Sequence, residues 1–233
     1  MIKENIQNIQ RNIQEVCIKT GRKPSEIRII AVTKNTGLNS IREVVDHGLT
    51  NLGESKAQEL TEKSGLFDEN ICWHFIGHLQ SNKVKYVVNS AGFIHSIDSI
   101  KIADEINRYA LKRNKTFKVL LEVNTSGESN KYGISELTDL LQVADYCESA
   151  SNLKLVGLMT MAPYTDEEKI IRKCFSDLRK LRSTLNEQGY DLTELSMGMS
   201  NDYLIAIEEG STMIRLGTAI FGERDYSKSW KEQ

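Results

Sequence analysis

The N-terminal segment shows the spacing of an amphipathic helix. Apolar residues recur there every three or four positions, which is the period of one helix face. These residues are Ile2, Ile6, Ile9, Ile13 and Val16. Gly21 and Pro24 end the pattern. The apolar face is too narrow for a central helix, so we predict a helix that packs across the outside of the main fold.

After this helix, short apolar runs of strand length alternate with segments of helical period. The first run, 28–33, is almost continuously apolar, as expected of a parallel strand that is covered on both faces. Such alternation favours a parallel sheet, and eight strand–helix units that close on themselves form a (β/α)8 barrel. An open, doubly wound sheet is the alternative. The predicted strands are 28–33, 50–53, 72–76, 93–97, 118–123, 153–159, 195–197 and 213–216.

Several polar residues are expected to mark helix starts. Ser40 with Glu43, and Thr165 with Glu168, have the spacing of a capping box. Asp98 is expected to cap the helix predicted for 100–112. No Ser/Gly-rich linker or block of charge divides the chain. We therefore predict one α/β domain over 1–233, a single TIM barrel with an extra N-terminal helix.

Composition narrows the class of protein. The 233 residues include 30 basic and 32 acidic side chains, and this balance argues against a nucleic-acid-binding surface. The four cysteines are far apart and lack the spacing of metal ligands, so we expect reduced thiols and no metal site. The chain has no apolar run of membrane-spanning length, and its polar N-terminus does not resemble a signal peptide. We expect a cytoplasmic protein that does not contact membranes.

The last two predicted strands both lead into small residues. Gly198 permits a sharp turn after one strand, and Ser200 is expected to cap the helix that follows. Gly217 and Thr218 open a helix after the other strand. Two helix starts on adjacent strands bring free N–H groups together, which favours a phosphate. Because similar turns also occur in proteins without a ligand, this stretch alone leaves the phosphate site open.

Lys34 follows the first strand, which neighbours the eighth strand in a closed barrel. Active sites of such barrels lie at the carboxyl ends of the strands. An exposed loop lysine is the ordinary interpretation. The functional interpretation is a nucleophilic lysine that forms a Schiff base with an aldehyde. Beside a phosphate site, this interpretation suggests pyridoxal 5′-phosphate (PLP).

Other candidates remain open at this stage. His74 and His78 are interpreted either as acid–base residues or as histidines that only satisfy hydrogen bonds inside the barrel. The glycine-bearing loop 126–133 is interpreted either as a cover for a ligand or as a plain surface loop.

Seven blocks of sequence lie at or near the predicted strand ends: 30–34, 51–54 with 58–59, 74–83, 122–124, 157–161, 196–200 and 214–222. In this order and spacing they resemble the pyridoxal phosphate homeostasis protein family, from about Arg28 to the C-terminus. That family is similar to the barrel domain of alanine racemase and other fold-type III PLP enzymes. One departure is Asn35-Thr36-Gly37, where the family commonly has a proline nearby. It suggests a looser loop after Lys34.

The resemblance implies roles for individual residues. Lys34 would form the Schiff base, and Arg215 would face the pyridine nitrogen. Asn51 and Met197 would lie near the ring. The phosphate holders would be Ser200, Gly217 and Thr218. No catalytic residue is implied.

The resemblance implies a protein that binds and buffers PLP and maintains vitamin B6 and amino-acid homeostasis without its own turnover. Candidate partners are PLP-dependent apo-enzymes, and we expect a monomer rather than an obligate dimer. Alanine racemase takes a second base from a separate domain, for which we expect no room after Gly222. Arg215 can only donate to the ring nitrogen, which weakens the electron sink that carbanion chemistry needs. A fold-type III racemase or lyase is the alternative, and a barrel enzyme acting on a phosphorylated sugar is a third hypothesis.

Overall fold

Eight parallel strands close into one barrel in chain order. The structure, a computed structural model, describes residues 1–68, 70–128, 130–223 and 227–232. The first strand pairs with the last, with Ala31 opposite Leu216, so the sheet has no open edge at this seam. The predicted barrel is confirmed, and the doubly wound sheet was the wrong alternative. The strands are β1 Arg28–Val32, β2 Asn51–Glu54, β3 Cys72–Phe75, β4 Phe93–Ile97, β5 Phe117–Glu122, β6 Leu153–Met159, β7 Glu194–Ser196 and β8 Met213–Leu216.

Helices follow the strands and cover the barrel. In the described part of the chain they are α1 Ile2–Thr20, α2 Leu38–Asp46, α3 Ala57–Ser64, α4 Val84–Ser90, α5 Ile100–Lys112, α6 Leu137–Ser149, α7 Glu168–Glu187, α8 Tyr203–Glu208 and α9 Thr218–Phe221. Two short 3₁₀ helices cover Pro24–Glu26 and Ser81–Lys83. None of the helices described is both long enough and apolar enough to cross a membrane.

Helix α1 packs on the outside of the barrel, as its narrow apolar face predicted. It buries that face against the C-terminal helices of the barrel. The Asn5 Nδ2 group donates to the Ile220 carbonyl at 2.9 Å, and the Asn12 Nδ2 group donates to the Tyr203 hydroxyl at 2.9 Å. The helix therefore holds α8 and α9, which follow the two strands of the predicted phosphate site.

The predicted helix caps are wrong. Ser40 lies inside α2, which begins at Leu38 after Gly37. Thr165 precedes α7, and its hydroxyl accepts the Glu167 N–H at 3.2 Å instead of capping the helix. Ser99, not Asp98, is the residue before α5. Capping motifs are short and frequent, whereas helix starts in this fold are set by where an apolar face can begin to pack on the strands.

The core has two parts. Most buried apolar residues lie between the strands and the helices. A second, smaller cluster fills the inside of the barrel, where alternate strand residues point inward. The members of this inner cluster are Ile30, Phe93, Leu120, Val156, Met159 and Met213. Polar residues share the inside of the barrel with this cluster, and they are part of the candidate site.

Candidate functional site

Lys34 lies where the sequence placed it, next to the eighth strand. It is half-buried, two residues beyond the end of β1, and the adjacent β8 leads directly into Gly217. Since β1 and β8 are parallel and paired, Lys34 and Gly217 follow neighbouring strands at the same end of the barrel. We call the end of the barrel at the carboxyl ends of the strands the mouth. The Lys34 amine and the start of α9 therefore lie on one side of this mouth.

A buried charged cluster holds the turn that carries Lys34. Lys63 is fully buried, and its Nζ atom donates to the Thr33 carbonyl at 2.7 Å, to Glu54 Oε1 at 2.7 Å and to Glu59 Oε2 at 2.9 Å. The Asn35 N–H donates to the same Glu59 oxygen at 2.9 Å. Both chain neighbours of Lys34 are therefore tied to the cluster, which argues against the loosened loop suggested by the sequence.

The two carboxylates of this cluster are shifted in opposite directions. Burial raises the pKa of Glu54, and Lys63 opposes that shift. Burial would also raise the pKa of Glu59, but the hydrogen bonds from Asn35 and Lys63 outweigh it and lower that pKa. Sequence analysis missed the cluster, because a lysine on an amphipathic helix normally faces water. The spacing of Glu59 and Lys63, four residues apart on α3, was the available signal.

Ser200 gathers the amide groups at the start of α9. Its Oγ atom accepts the Gly217 N–H at 3.3 Å and the Ala219 N–H at 3.1 Å. The expected helix cap was wrong, since α8 begins at Tyr203 after Asp202 and Ser200 bonds across to the next strand's turn instead. This contact joins the turns after β7 and β8 and aims two amides at one polar atom. Thr218, the first residue of α9, is exposed beside them.

Gly198 makes this arrangement possible. It has φ 97°, in the left-handed region that favours glycine. A Cβ atom at this position would lie 2.6 Å from the Ala206 Cβ atom and 3.0 Å from the Tyr203 Cα atom. The turn after β7 can therefore pass close to α8 only with glycine, as the sequence predicted.

Arg215 points into the barrel from β8 and is buried. Its Nη1 group donates to Ser196 Oγ at 2.6 Å, and its Nη2 group donates to the Thr160 carbonyl at 2.9 Å. Burial lowers the pKa of Arg215 to about 10, and the carboxylates of Asp202 and Glu122 oppose that shift. The guanidinium thus remains a cation at neutral pH, and it is held from the ends of two other strands.

Two histidines continue the hydrogen bonding inside the barrel. His95 Nδ1 lies 2.9 Å from Ser196 Oγ, and its Nε2 atom lies 2.9 Å from His74 Nδ1. Burial lowers the pKa of His74 to about 3, with Arg28 adding to the shift. Burial, followed by His74 and Arg215, lowers the pKa of His95 well below its ordinary value. Both rings are neutral, so His74 is a buried hydrogen-bonding residue and not an acid–base group open to the mouth.

Sequence analysis missed His95 and Ser196. Both are polar residues on otherwise apolar strands and point to the inside of the barrel. A polar residue at an inward position of a buried strand was the signal that could have found them, because buried polar groups need partners.

Two of the predicted ligand residues are not exposed at the mouth: one lies at the amino end of its strand, and the other is buried directly after β7. Asn51 is the first residue of β2, so its expected position at the carboxyl end of a strand is wrong. Its Oδ1 atom lies 3.1 Å from His74 Nε2. Met197 is fully buried in the apolar cluster between the strands and the helices. The structure therefore places Asn51 at the opposite end of its strand from the turns that carry Lys34, Ser200 and Gly217, whereas Met197 lies in the turn after β7 with its side chain buried.

The opposite side of the mouth carries a different set of groups. The His78 ring stacks on the Tyr132 ring with centroids 3.8 Å apart, and His78 Nδ1 lies 3.5 Å from Asp98 Oδ2. Tyr132 belongs to the predicted loop 126–133, of which residue 129 lies outside the described residues. This loop thus reaches the turn after β3.

Glu122, at the end of β5, is a buried carboxyl group near the mouth. Burial, followed by the Asp98 carboxylate, raises the pKa of Glu122 to about 7, and Arg215 opposes the shift. Its Oε2 atom has no hydrogen-bond partner among the residues described. In the same part of the chain, no group of three potential ligands is arranged to hold a metal ion.

Comparisons with known proteins agree with this arrangement. The model of the family "Alanine racemase, N-terminal domain" matches residues 5–225. A curated pyridoxal phosphate homeostasis protein of Aquifex aeolicus is 41% identical over 225 residues, which cover 96% of this chain and 98% of that protein. The Escherichia coli protein of the same name is 37% identical over 97% of this chain and 98% of its own length. The chain therefore belongs to the pyridoxal phosphate homeostasis protein family, as the sequence blocks indicated.

Solved structures show the same fold. PipY of Synechococcus elongatus, solved with PLP bound, has a TM-score of 0.84 and 30% identity, and the match covers 95% of this chain and all of that one. An alanine racemase of Clostridium difficile has a TM-score of 0.77 but only 15% identity, so it shows the fold alone. The match covers 98% of this chain and 59% of the racemase.

Proposed function

We propose that this protein binds PLP and buffers its concentration, and so contributes to vitamin B6 and amino-acid homeostasis without turnover of its own. The observation that carries the proposal is the position of Lys34 beside the turn in which Ser200 collects the Gly217 and Ala219 amides. We call Ser200 with the amides of Gly217 and Ala219 the anion cradle. An amine and this cradle on neighbouring strands suit a ligand with both an aldehyde and a phosphate. The family name and the PLP-bound PipY structure support this ligand.

The residues present fit the phosphate group of PLP. Helix starts bind anions because their N–H groups lack partners within the helix and the helix dipole favours negative charge. The Gly217 and Ala219 N–H groups donate to the Ser200 hydroxyl, which keeps its own proton to donate to a phosphate, and a phosphate that accepted from these amides would replace Ser200 as their partner. Thr218 adds a hydroxyl at the exposed edge of the same turn. Ser200, Gly217 and Thr218 are our proposed phosphate holders.

Lys34 is the proposed attachment point. When bound, PLP supplies a reactive aldehyde, and an amine is the group that captures it reversibly. Lys63, a second lysine near this turn, is fully buried, and its Nζ atom donates to two carboxylates and a carbonyl, so it does not reach the ligand.

Arg215 is the proposed partner of the pyridine nitrogen and the reason we expect no turnover. A guanidinium is a donor without acceptor capacity. A donor at the ring nitrogen keeps that atom unprotonated, and the ring then withdraws electrons weakly. Asn51 and Met197 stay predictions as residues near the ring, although their positions make a direct contact less favourable. We further propose that residues 1–233 form one PLP-binding domain. The protein is proposed to be a cytoplasmic monomer that delivers PLP to apo-enzymes.

The experiment measures transfer and turnover in one sample. PLP-loaded protein is mixed with a PLP-dependent apo-enzyme, and a second portion is incubated with L- and D-amino acids in heavy water. We expect the apo-enzyme to gain activity and the amino acids to keep their α-protons. Rapid deuterium uptake that disappears in Lys34→Ala would instead favour a fold-type III racemase or lyase. Purified protein that takes up no PLP at all would favour the phosphorylated-sugar enzyme.

A further inference from the structure

A continuous chain of hydrogen bonds crosses the inside of the barrel from β2 to β8. Its atoms are Asn51 Oδ1, His74 Nε2 and Nδ1, His95 Nε2 and Nδ1, Ser196 Oγ and Arg215 Nη1. The four links measure 3.1, 2.9, 2.9 and 2.6 Å in that order. His74, His95 and Ser196 are fully buried, so water does not compete for these bonds. We name this set of five residues the barrel chain.

The chemistry of Arg215 fixes the direction of the barrel chain at one end. A guanidinium has only donors, so Arg215 donates to Ser196 Oγ. The Ser196 hydroxyl keeps its own proton and donates it to His95 Nδ1, 2.9 Å away, when that nitrogen carries no proton. A neutral imidazole that accepts at one nitrogen carries its proton on the other. His95 Nε2–H therefore donates to His74 Nδ1.

The other end gives the same direction independently. In the next link of the barrel chain, His74 accepts at Nδ1 and therefore donates from Nε2–H. The atom that lies 3.1 Å from this nitrogen is the amide oxygen of Asn51, which can only accept. Each link in the barrel chain has one donor and one acceptor, and neither terminal group can take the reverse role with these atoms.

Both histidines must stay neutral to maintain this order. A proton on His74 would place its Nδ1–H opposite His95 Nε2–H, two donors 2.9 Å apart. The groups that face the rings also oppose a positive charge. Arg28 and Arg215 are cations, and the remaining surroundings are buried apolar residues such as Phe93, which stacks on His74.

We propose that Ser196, His95 and His74 are positioning residues, which hold the Arg215 guanidinium in one orientation and keep it a fixed donor toward the ligand. Ser196 accepts Nη1–H and the Thr160 carbonyl accepts Nη2–H, so two acceptors from different strand ends define the plane of the guanidinium. The ring nitrogen of PLP would then meet the same donor throughout the neutral pH range. The part of this inference that concerns PLP rests on the proposed function, and the part that concerns tautomers does not.

The first test uses the full-length protein without ligand. Long-range ¹H–¹⁵N NMR spectra distinguish the two neutral tautomers of histidine, and the chain has only 4 histidines to assign. We expect His74 and His95 to carry their proton on Nε2 from about pH 5 to about pH 8. The exposed His47 is the internal control. A proton on Nδ1 of either buried ring, or titration of either ring in this range, would overturn the directed chain.

The second test breaks the barrel chain at His95. Glutamine can accept at Oε1 and donate from Nε2, as the neutral imidazole does, whereas leucine can do neither. We expect His95→Gln to keep the absorbance spectrum of PLP-loaded protein, and His95→Leu to shift that spectrum and weaken PLP binding about tenfold. A folded His95→Leu protein with wild-type spectrum and affinity would refute the positioning role. If His95→Leu does not fold, Ser196→Ala is measured in the same way against Ser196→Thr. Failure of the wild-type protein to bind PLP would refute the proposed function and leave the tautomer result standing.

Discussion

Two groups of buried polar residues lie on opposite faces of the barrel wall, and they are built on different chemistry. Outside β2, the cluster of Glu54, Glu59 and Lys63 is charged and ties down the residues on both sides of Lys34. Inside the wall, the barrel chain links neutral histidines to Arg215. Opposite charges attract in any orientation, so the cluster fixes a position. Each neutral hydrogen bond needs one donor and one acceptor, so the barrel chain fixes the direction in which its groups donate.

Removing the charge of Lys63 should have the largest effect. In Lys63→Met, Glu54 and Glu59 lose their buried counter-charge, and breaking a buried ion pair by removing one partner typically costs about 3–5 kcal/mol. We expect a loss of this size in the free energy of unfolding, measured by urea denaturation. Lys56→Met is the matched control on the same side of α3, because Lys56 is exposed and only 3.5 Å from Glu59. Equal stability of the two variants would mean that the cluster does not hold the Lys34 turn.

Glu122 contrasts with the carboxylates of the charged cluster. It is a buried carboxyl group whose Oε2 atom has no hydrogen-bond partner among the described residues. Its pKa is raised from the ordinary 4.5 to about 7, so between these values the folded protein binds more protons than the unfolded chain. The contribution of Glu122 to stability is complete below about pH 4.5 and is lost as pH rises to about 7, by on the order of 3 kcal/mol.

Glu122→Gln should remove this pH dependence. Relative to wild type, the variant should be more stable at about pH 8 than at about pH 5, as measured by denaturant unfolding at both values. The same substitution at Glu59 should leave the stability difference between about pH 5 and about pH 8 unchanged, because hydrogen bonds lower the Glu59 pKa and its contribution is lost only as pH falls below about 4.5. Parallel pH profiles for the two variants would contradict the difference between partnered and unpartnered carboxylates.

The anion cradle, formed by Ser200 and the amides of Gly217 and Ala219, should have a smaller effect. Charge-assisted hydrogen bonds to a phosphate contribute about 1.5–3 kcal/mol each. Pyridoxal, which lacks the phosphate, should therefore bind at least about tenfold more weakly than PLP in a titration followed by absorbance. Ser200→Ala should narrow this gap, whereas Thr165→Ala, at the start of α7, should not. Equal affinities of the wild-type protein for pyridoxal and PLP would exclude a phosphate site at this turn.

The barrel and the mouth were predictable from sequence for a topological reason. Once apolar runs and helical segments alternate in a closed sheet, Lys34 and Gly217 must follow neighbouring strands. Asn51 was assigned to the ring by the family resemblance and not by its strand, because the predicted strand 50–53 already places it near the amino end and β2 begins at Asn51.

The buried polar groups could not be predicted in the same way. His95 and Ser196 are 101 residues apart, and only the completed barrel brings them into contact. Lys63 looks like a surface residue on α3 until Glu54 of the adjacent strand is placed beside it. Such partners are set by tertiary packing, whereas sequence periodicity reports only which face of an element is buried.

The attachment of PLP to Lys34 is the central claim, and borohydride reduction tests it most directly. Reduction makes a reversible amine–aldehyde link permanent, and peptide mapping by mass spectrometry then locates the added pyridoxyl group. The account predicts the added mass on the peptide that contains Lys34, and no such mass in Lys34→Met. Recovery of the pyridoxyl mass on Lys63, Lys56 or another lysine of the wild-type protein would contradict it.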